Sequence, residues 1–262
     1  MKITKLSWAG LKIESRGTTV FIDPVVNFEK MEKYMGKPLT PVIEIPATEQ
    51  ADVILLTHLH QDHYDPETIR NILKPGGQVW VHEEVEENVR KAELPVRGLE
   101  LNTSVHLGDL NIIPVFALDG IGHEQVSWIV QYEKTQIFHG GDTLWHNQFW
   151  AITNQYGPMD LAFLPINGVT VNYPFIGYTA LPASMTPNEA AVAGRILRAK
   201  FVVPMHYGMF NYPPVYTPYP EPENEFMLAC DRHSQGYSFL SDGESYELDP
   251  AAPSTEVTNE TL

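Results

Sequence analysis

The sequence predicts an α/β protein, and three segments carry that prediction. Residues 52–57 (DVILLT) form a short apolar run with β-branched members, as expected of a strand covered on both faces. Soon after it, Asp65-Pro66-Glu67 reads as a helix start, with an N-cap and proline at the first helical position. In MTPNEAAVAGRILRAK (185–200), Thr186 is a second N-cap, Pro187 opens the helix and Glu189 closes a capping box. That helix runs straight into FVVPMHYG, an apolar strand that ends in a histidine.

The remaining elements follow in chain order. KITKLSW, LKIES and TTVFID are short strands separated by Gly10 and Gly17, which suggests a β-meander. Residues 24–50 carry prolines at 24, 38, 41 and 46 and read as an insertion. QVWVH is a strand, EEVEENVRKA a helix, and residues 96–139 a β-rich block with QVSWIVQYE and TQIF as its clearest strands. HNQFWAITNQY is helical and MDLAFLPI a buried strand. One domain is expected over 1–249, followed by a polar, disordered tail over 250–262.

Composition narrows the function. The chain has 262 residues, 43% of them hydrophobic, enough for a substantial core. Its net charge of −16 argues against nucleic acid as a partner. No apolar run is long enough to span a membrane, and the N-terminal stretch lacks the apolar core of a signal peptide. The single cysteine, Cys230, excludes an intrachain disulfide, favours a cytoplasmic location and reads as a buried small hydrophobe. Oligomeric state stays open, a homo-oligomer included.

Chemistry concentrates in THLHQDH. His58, His60, Asp62 and His63 lie between the carboxyl end of a strand and a helix, where α/β folds place their sites. Imidazole and carboxylate suit zinc, manganese or iron. His58 and His60, two apart on extended chain, can point one way, while Asp62 and His63 face a second position. A solvated polar loop is the plain alternative, but only 10 histidines occur in the chain and three stand here. Two further strand ends deliver the same residue types, Asp142 in HGGDTLWH and His206 in FVVPMHYG. Alone, each is an ordinary turn or surface residue; beside the cluster, each reads as a ligand.

THLHQDH, the GDT aspartate, FIDP and the late strand-end histidine together resemble the metallo-β-lactamase-fold hydrolases. HGGDTLW, LPING, MTPNEAA and VPMHYG look closest to the branch containing L-ascorbate-6-phosphate lactonase. The resemblance implies a four-layer αββα sandwich holding two divalent metal ions, Zn2+ or Mn2+. His58 and His60 would hold the first ion, Asp62, His63 and His206 the second, and Asp142 would bridge them. For the remaining first-ion ligand, within PVFALDGIGHEQVSW, His123 has the expected residue type and is favoured over Asp119, which lies nearer the strand end. Asp62 would also orient the attacking water. His139 and Asp23 would steady ligand imidazoles, with turn capping the plain alternative for Asp23. His146 or Tyr207 would protonate a leaving group, and His82, His106 and His233 receive no role.

The favoured activity is hydrolysis of a lactone or ester by metal-activated water. Phosphodiester hydrolysis, including phospholipid head-group cleavage, uses the same kind of site; di-iron redox chemistry and non-catalytic metal binding are the other readings. No Lys or Arg occurs between Lys134 and Arg195 or between Lys200 and Arg232, and these loops are rich in aromatic residues. The expected substrate is therefore a small, uncharged and partly aromatic or apolar molecule, unless Lys30, Lys33 or Lys37 reaches over the site.

Overall fold

Alternate side chains of the buried strands enter different cores, and that alternation builds the layers. The computed structural model describes residues 1–249; the expected tail, 250–262, lies outside the described residues. The first sheet contains β1 (Lys2–Lys5), β2 (Leu11–Ser15), β3 (Thr18–Ile22), β4 (Ala51–Leu55), β5 (Leu73–His82) and β6 (Val96–Leu99), side by side in that order. The second contains β7 (Val105–Leu107), β8 (Leu110–Phe116), β9 (Val126–Tyr132), β10 (Thr135–His139) and β11 (Leu161–Pro165). A small third sheet combines β12 (Thr170–Tyr173), β13 (Gly177–Tyr178) and β15 (Tyr216–Thr217). β14 (Phe201–Met205) extends the second sheet beside β11, and β16 (Ser245–Glu247) edges the first beside β1.

On β4, Val53 and Leu55 join the core between the two large sheets, while Ile54 and the following Leu56 face the other way. There they meet Ile69 and Ile72 of α2 (Pro66–Ile72) and Val89 of α3 (Glu86–Arg90). On β11, Leu161 and Phe163 enter the inter-sheet core, and Ala162 and Leu164 pack the opposite face. That face is covered by α4 (Gln148–Tyr156), α5 (Pro187–Ile196) and α6 (Pro222–His233), through Phe149, Ala190, Ala193 and Phe226. Two helix layers thus enclose two sheets, the αββα order that the motifs implied.

Both foreseen helix starts form. Asp65 accepts hydrogen bonds from the backbone N–H groups of Glu67 and Thr68 at 3.2 and 3.4 Å, and Thr186 and Glu189 complete their capping box. Parallel pairs β3/β4, β4/β5, β10/β11 and β11/β14 bring their carboxyl ends, and the loops that follow, to one edge of the sandwich. Residues 24–50 cross from β3 to β4 and make a short helical stretch that includes α1 (Glu32–Met35). Their first part is packed, since Val25, Phe28, Met31 and Met35 join the inter-sheet core, while residues 36–50 are exposed or half-buried. The expected helix over 83–92 shortens to a 3-10 turn plus α3.

Trp128 links the layers to the site. Its ring is fully buried between the sheets, and its indole N–H donates to the Leu56 carbonyl at 3.1 Å, one residue before the ligand loop begins. Trp128→Phe should keep the ring packing but leave that carbonyl unpaired, a cost of about 1–3 kcal/mol. A lower urea midpoint with unchanged slope is the expected result.

Candidate metal centre

The ligand loop is held from below by one carboxylate. Asp23, buried at the end of β3, accepts from the Thr57 N–H at 2.8 Å, the Thr57 hydroxyl at 2.5 Å and His63 Nδ1 at 2.7 Å. Both ends of the loop are thereby tied to β3. With Nδ1 engaged, His63 turns Nε2 to the site, where it lies 3.0 Å from His206 Nε2 and 3.6 Å from Asp62 Oδ2. His206 Nε2 is 3.4 Å from the same Asp62 oxygen, which also accepts from the Trp8 indole N–H at 3.0 Å. Trp8, Asp23 and His206 all have left-handed backbone, with φ of 62°, 45° and 58°.

A second group stands beside the first. His58 Nε2 is 2.8 Å from His60 Nδ1 and 3.7 Å from Asp142 Oδ1, and His60 Nδ1 is 3.6 Å from Asp119 Oδ2. Asp142 arrives through the Gly140-Gly141 turn. Gly141 has φ +66°, and a Cβ there would sit 3.1 Å from the Thr57 Cβ, so glycine permits the approach. His139 does not reach the site. Its Nε2 is 2.8 Å from the Ala9 carbonyl and its Nδ1 accepts from the Gly141 N–H at 3.2 Å, so it shapes the turn.

Ligand atoms thus gather in two sets, each within 4.8 Å: His58, His60, Asp119 and Asp142, and Asp62, His63 and His206. Their chemistry fits cations. Asp142 Oδ1 and Asp119 Oδ2 are buried without a hydrogen-bond partner. Burial holds the His58 and His60 imidazoles below their ordinary pKa and His206 down to about 4, the neutral form that ligation requires. Burial also lifts the Asp142 carboxyl well above the carboxylate range; the His63 imidazolium opposes this, while Asp119, Asp62 and Asp23 add to it. His63 is penalised by burial, but Asp62 and Asp23 outweigh that and raise it to about 9.

Several expected roles are revised by position. His123 is exposed, with Nδ1 2.6 Å from His60 Nε2, and lines the cavity but lies outside both sets; the first set contains buried Asp119 instead. His146 is buried away from the pocket, stacked on Phe149 at 4.0 Å with neither ring nitrogen hydrogen-bonded. Tyr207 does not line the cavity over the two sets and faces a hollow behind His206 and Trp8, with Lys5 and Asp242. Neither stands where a leaving group would. Cys230 is buried, its thiol pushed up to about 12 by burial.

Over the two sets opens a cavity of about 310 Å³, walled by Tyr34, Met35, Val169, Val171, Tyr173 and Phe175. Burial and the Asp62 and Asp142 carboxylates keep the Tyr173 phenol protonated. Tyr216, also in the wall, accepts a 2.8 Å hydrogen bond from the Asn167 amide. Tyr34 comes from the stretch read as an insertion. Lys33 also lines the cavity, with its ammonium 4.6 Å from the Tyr34 ring centre.

Asp23→Asn should retain the fold but turn an amide N–H towards His63 Nδ1–H, lowering metal affinity about 10–100-fold. Competition against a chelator measures this, and unchanged affinity would leave Asp23 as a turn cap only. His146, held down to about 4 by burial against 6.5 in an unfolded chain, is the better proton acceptor after unfolding. Stability should therefore fall as pH drops from 6.5 towards 4. His146→Phe should recover about 1–2 kcal/mol at pH 5 and nothing at pH 8, by denaturant titration.

The family described as beta-lactamase superfamily domain matches residues 18–207. The chain is 29% identical to a UPF0173 metal-dependent hydrolase of Koribacter versatilis, over 89% of this chain and 94% of that one. The isothiocyanate hydrolase from Delia radicum gut bacteria superposes with a TM-score of 0.72 at 17% identity, over 95% of this chain and 99% of that one. CmlA, a diiron beta-hydroxylase from Streptomyces venezuelae, gives a TM-score of 0.73 at 16% identity, over 94% of this chain and 54% of that one. With the αββα layers in place and a family match covering well over half of its length, the chain belongs to the beta-lactamase superfamily domain family.

Proposed function

We propose that this chain is a metal-dependent hydrolase acting on a small, uncharged lactone or ester. One observation carries the reading: two adjacent ligand sets form the floor of a cavity whose walls are aromatic and apolar. The full-length likeness to proteins named metal-dependent hydrolases supports it. A pair of divalent ions held there supplies Lewis acidity towards the substrate carbonyl and a lowered pKa for water. His58, His60, Asp119 and Asp142 would hold one ion, and Asp62, His63 and His206 the other. Asp62, fixed by the Trp8 N–H, would orient the attacking water. The Tyr173 hydroxyl, kept protonated on the cavity wall, donates to the leaving oxygen.

The wall supports this substrate class. Tyr34, Tyr173 and Phe175 touch edge to face or tilted, with ring centres 5.3–5.9 Å apart, and form an aromatic side suited to an apolar ring or acyl group. Lys33 is the one cation lining the cavity among the described residues, and Glu29 and Glu32 share a shallow hollow with it and Lys30. A phosphate would lose hydration there with little to replace it. The likeness of HGGDTLW and VPMHYG to the ascorbate-6-phosphate lactonase branch therefore supports the lactone, not the phosphate.

A second reading, oxidative chemistry at two irons, draws on the carboxylate at position 119 and on the likeness to a diiron beta-hydroxylase. The chain matches only 54% of that protein, whereas it spans the hydrolases it resembles. Iron loading followed by a substrate-dependent uptake of oxygen would favour it.

The deciding experiment compares kcat/KM for an uncharged lactone and its phosphorylated counterpart, at several ionic strengths, in the wild type and Lys33→Ala. We expect at least a tenfold preference for the uncharged compound, little changed by salt or by Lys33→Ala. A preference for the phosphorylated compound that persists at high salt and disappears in Lys33→Ala would overturn the substrate assignment.

A further inference from the structure

We propose that Asp119 is the terminal carboxylate ligand of the first metal position and that it biases this position towards the hard, oxygen-preferring manganese(II) and away from zinc. The inference rests on the reading that the two ligand sets hold metal ions. It concerns which ion the first set selects, and through which residue.

Asp119 is 5% exposed, and its two oxygens are treated differently. Oδ1 accepts from the backbone N–H groups of Ile121 at 2.7 Å and His123 at 3.2 Å. Oδ2 is buried, has no hydrogen-bond partner and lies 3.6 Å from His60 Nδ1, on the side where His58 and Asp142 converge. One oxygen is anchored and the other is presented. An unpartnered buried carboxylate oxygen is costly unless a cation meets it.

The chain around Asp119 is fixed as well. The Leu118 N–H donates to Thr143 Oγ1 at 2.9 Å, and the Leu118 carbonyl accepts from the Leu144 N–H at 2.8 Å. Asp119 is thereby tied to the turn that carries Asp142. Gly120 packs so closely against Ala183 that a Cβ would fall 1.9 Å from its carbonyl oxygen. His123, by contrast, is exposed and meets His60 at Nε2, not at the Nδ1 that lies near Asp119.

Donor type then decides selectivity. The first set offers two imidazoles and two carboxylates, an oxygen-weighted set. Imidazole suits zinc and copper, whereas carboxylate suits manganese. Zinc outbids manganese at most protein sites, so the useful quantity is the ratio between them. A carboxylate at position 119 narrows that ratio, and a third imidazole would widen it.

The test equilibrates metal-free protein with equal concentrations of manganese(II) and zinc(II), removes free ions and counts bound metal by elemental analysis. The variants are Asp119→His, Asp119→Asn and His123→Ala, each checked for fold by circular dichroism. Asp119→His should raise the bound zinc-to-manganese ratio about tenfold over the wild type. Asp119→Asn, nearly isosteric, should lose about one metal per chain, and His123→Ala should match the wild type. Loss of metal in His123→Ala with retention in Asp119→Asn overturns the proposal, as does an unchanged ratio in a folded Asp119→His. Wild-type protein that retains no metal at all would instead overturn the underlying metal-centre reading.

Discussion

A single buried carboxylate sets the geometry on which the site depends. Asp23 receives three hydrogen bonds, two from Thr57 at the start of the ligand loop and one from His63 at its end. Seven residues of chain are pinned at both ends to one strand terminus. The loop therefore needs no regular structure to hold its imidazoles in place. The remaining supports build on that anchor: Gly141 packs against Thr57, and the Trp128 indole holds the preceding carbonyl. A carboxylate is also well chosen, since its charge favours the His63 tautomer that leaves Nε2 free to ligate.

The two sheets divide the work. The first delivers His58, His60, Asp62 and His63 on one loop, a compact local set. The second delivers Asp119, Asp142 and His206 from three separate chain segments. Each ligand set contains residues from both sheets, so ions bound there would staple the sheets together at the edge where the apolar seam ends. Metal free energy and folding free energy are linked in such an arrangement, because ligands assembled from distant segments exist together only in the folded chain.

Legibility in the sequence followed how local the determinants were. THLHQDH was readable because an apolar run and a capped helix start bracket it, so its place on a strand-to-helix loop needs no tertiary information. Asp142 and His206 were readable once that loop was known, since both follow apolar strands. Position 119 was not. Asp119 and His123 lie on the same irregular loop, where neither period 2 nor period 3.6 says which side chain turns inward; two backbone hydrogen bonds to the carboxylate made that choice. Tyr207 failed for a related reason: it adjoins His206 and faces the opposite side, which adjacency in sequence does not reveal. The prolines of 24–50 signalled irregular chain correctly, but irregular chain that packs Met31 and Met35 inward and supplies Tyr34 to the wall.

Trp8, Asp23 and His206 share a property that bears on how this chain can change over time. Each adopts left-handed backbone, a conformation costing non-glycine residues about 1 kcal/mol, and each holds or forms part of a ligand set. Glycine would relax all three turns and abolish what their side chains do. Branched residues such as valine would worsen the strain while supplying no donor. These positions are thus trapped between two pressures, and the protein is kept from its most stable sequence where its chemistry is assembled. Mutational drift should accumulate in the aromatic wall, where a ring can be exchanged without touching the backbone, so substrate range can diversify while the floor beneath it stays frozen.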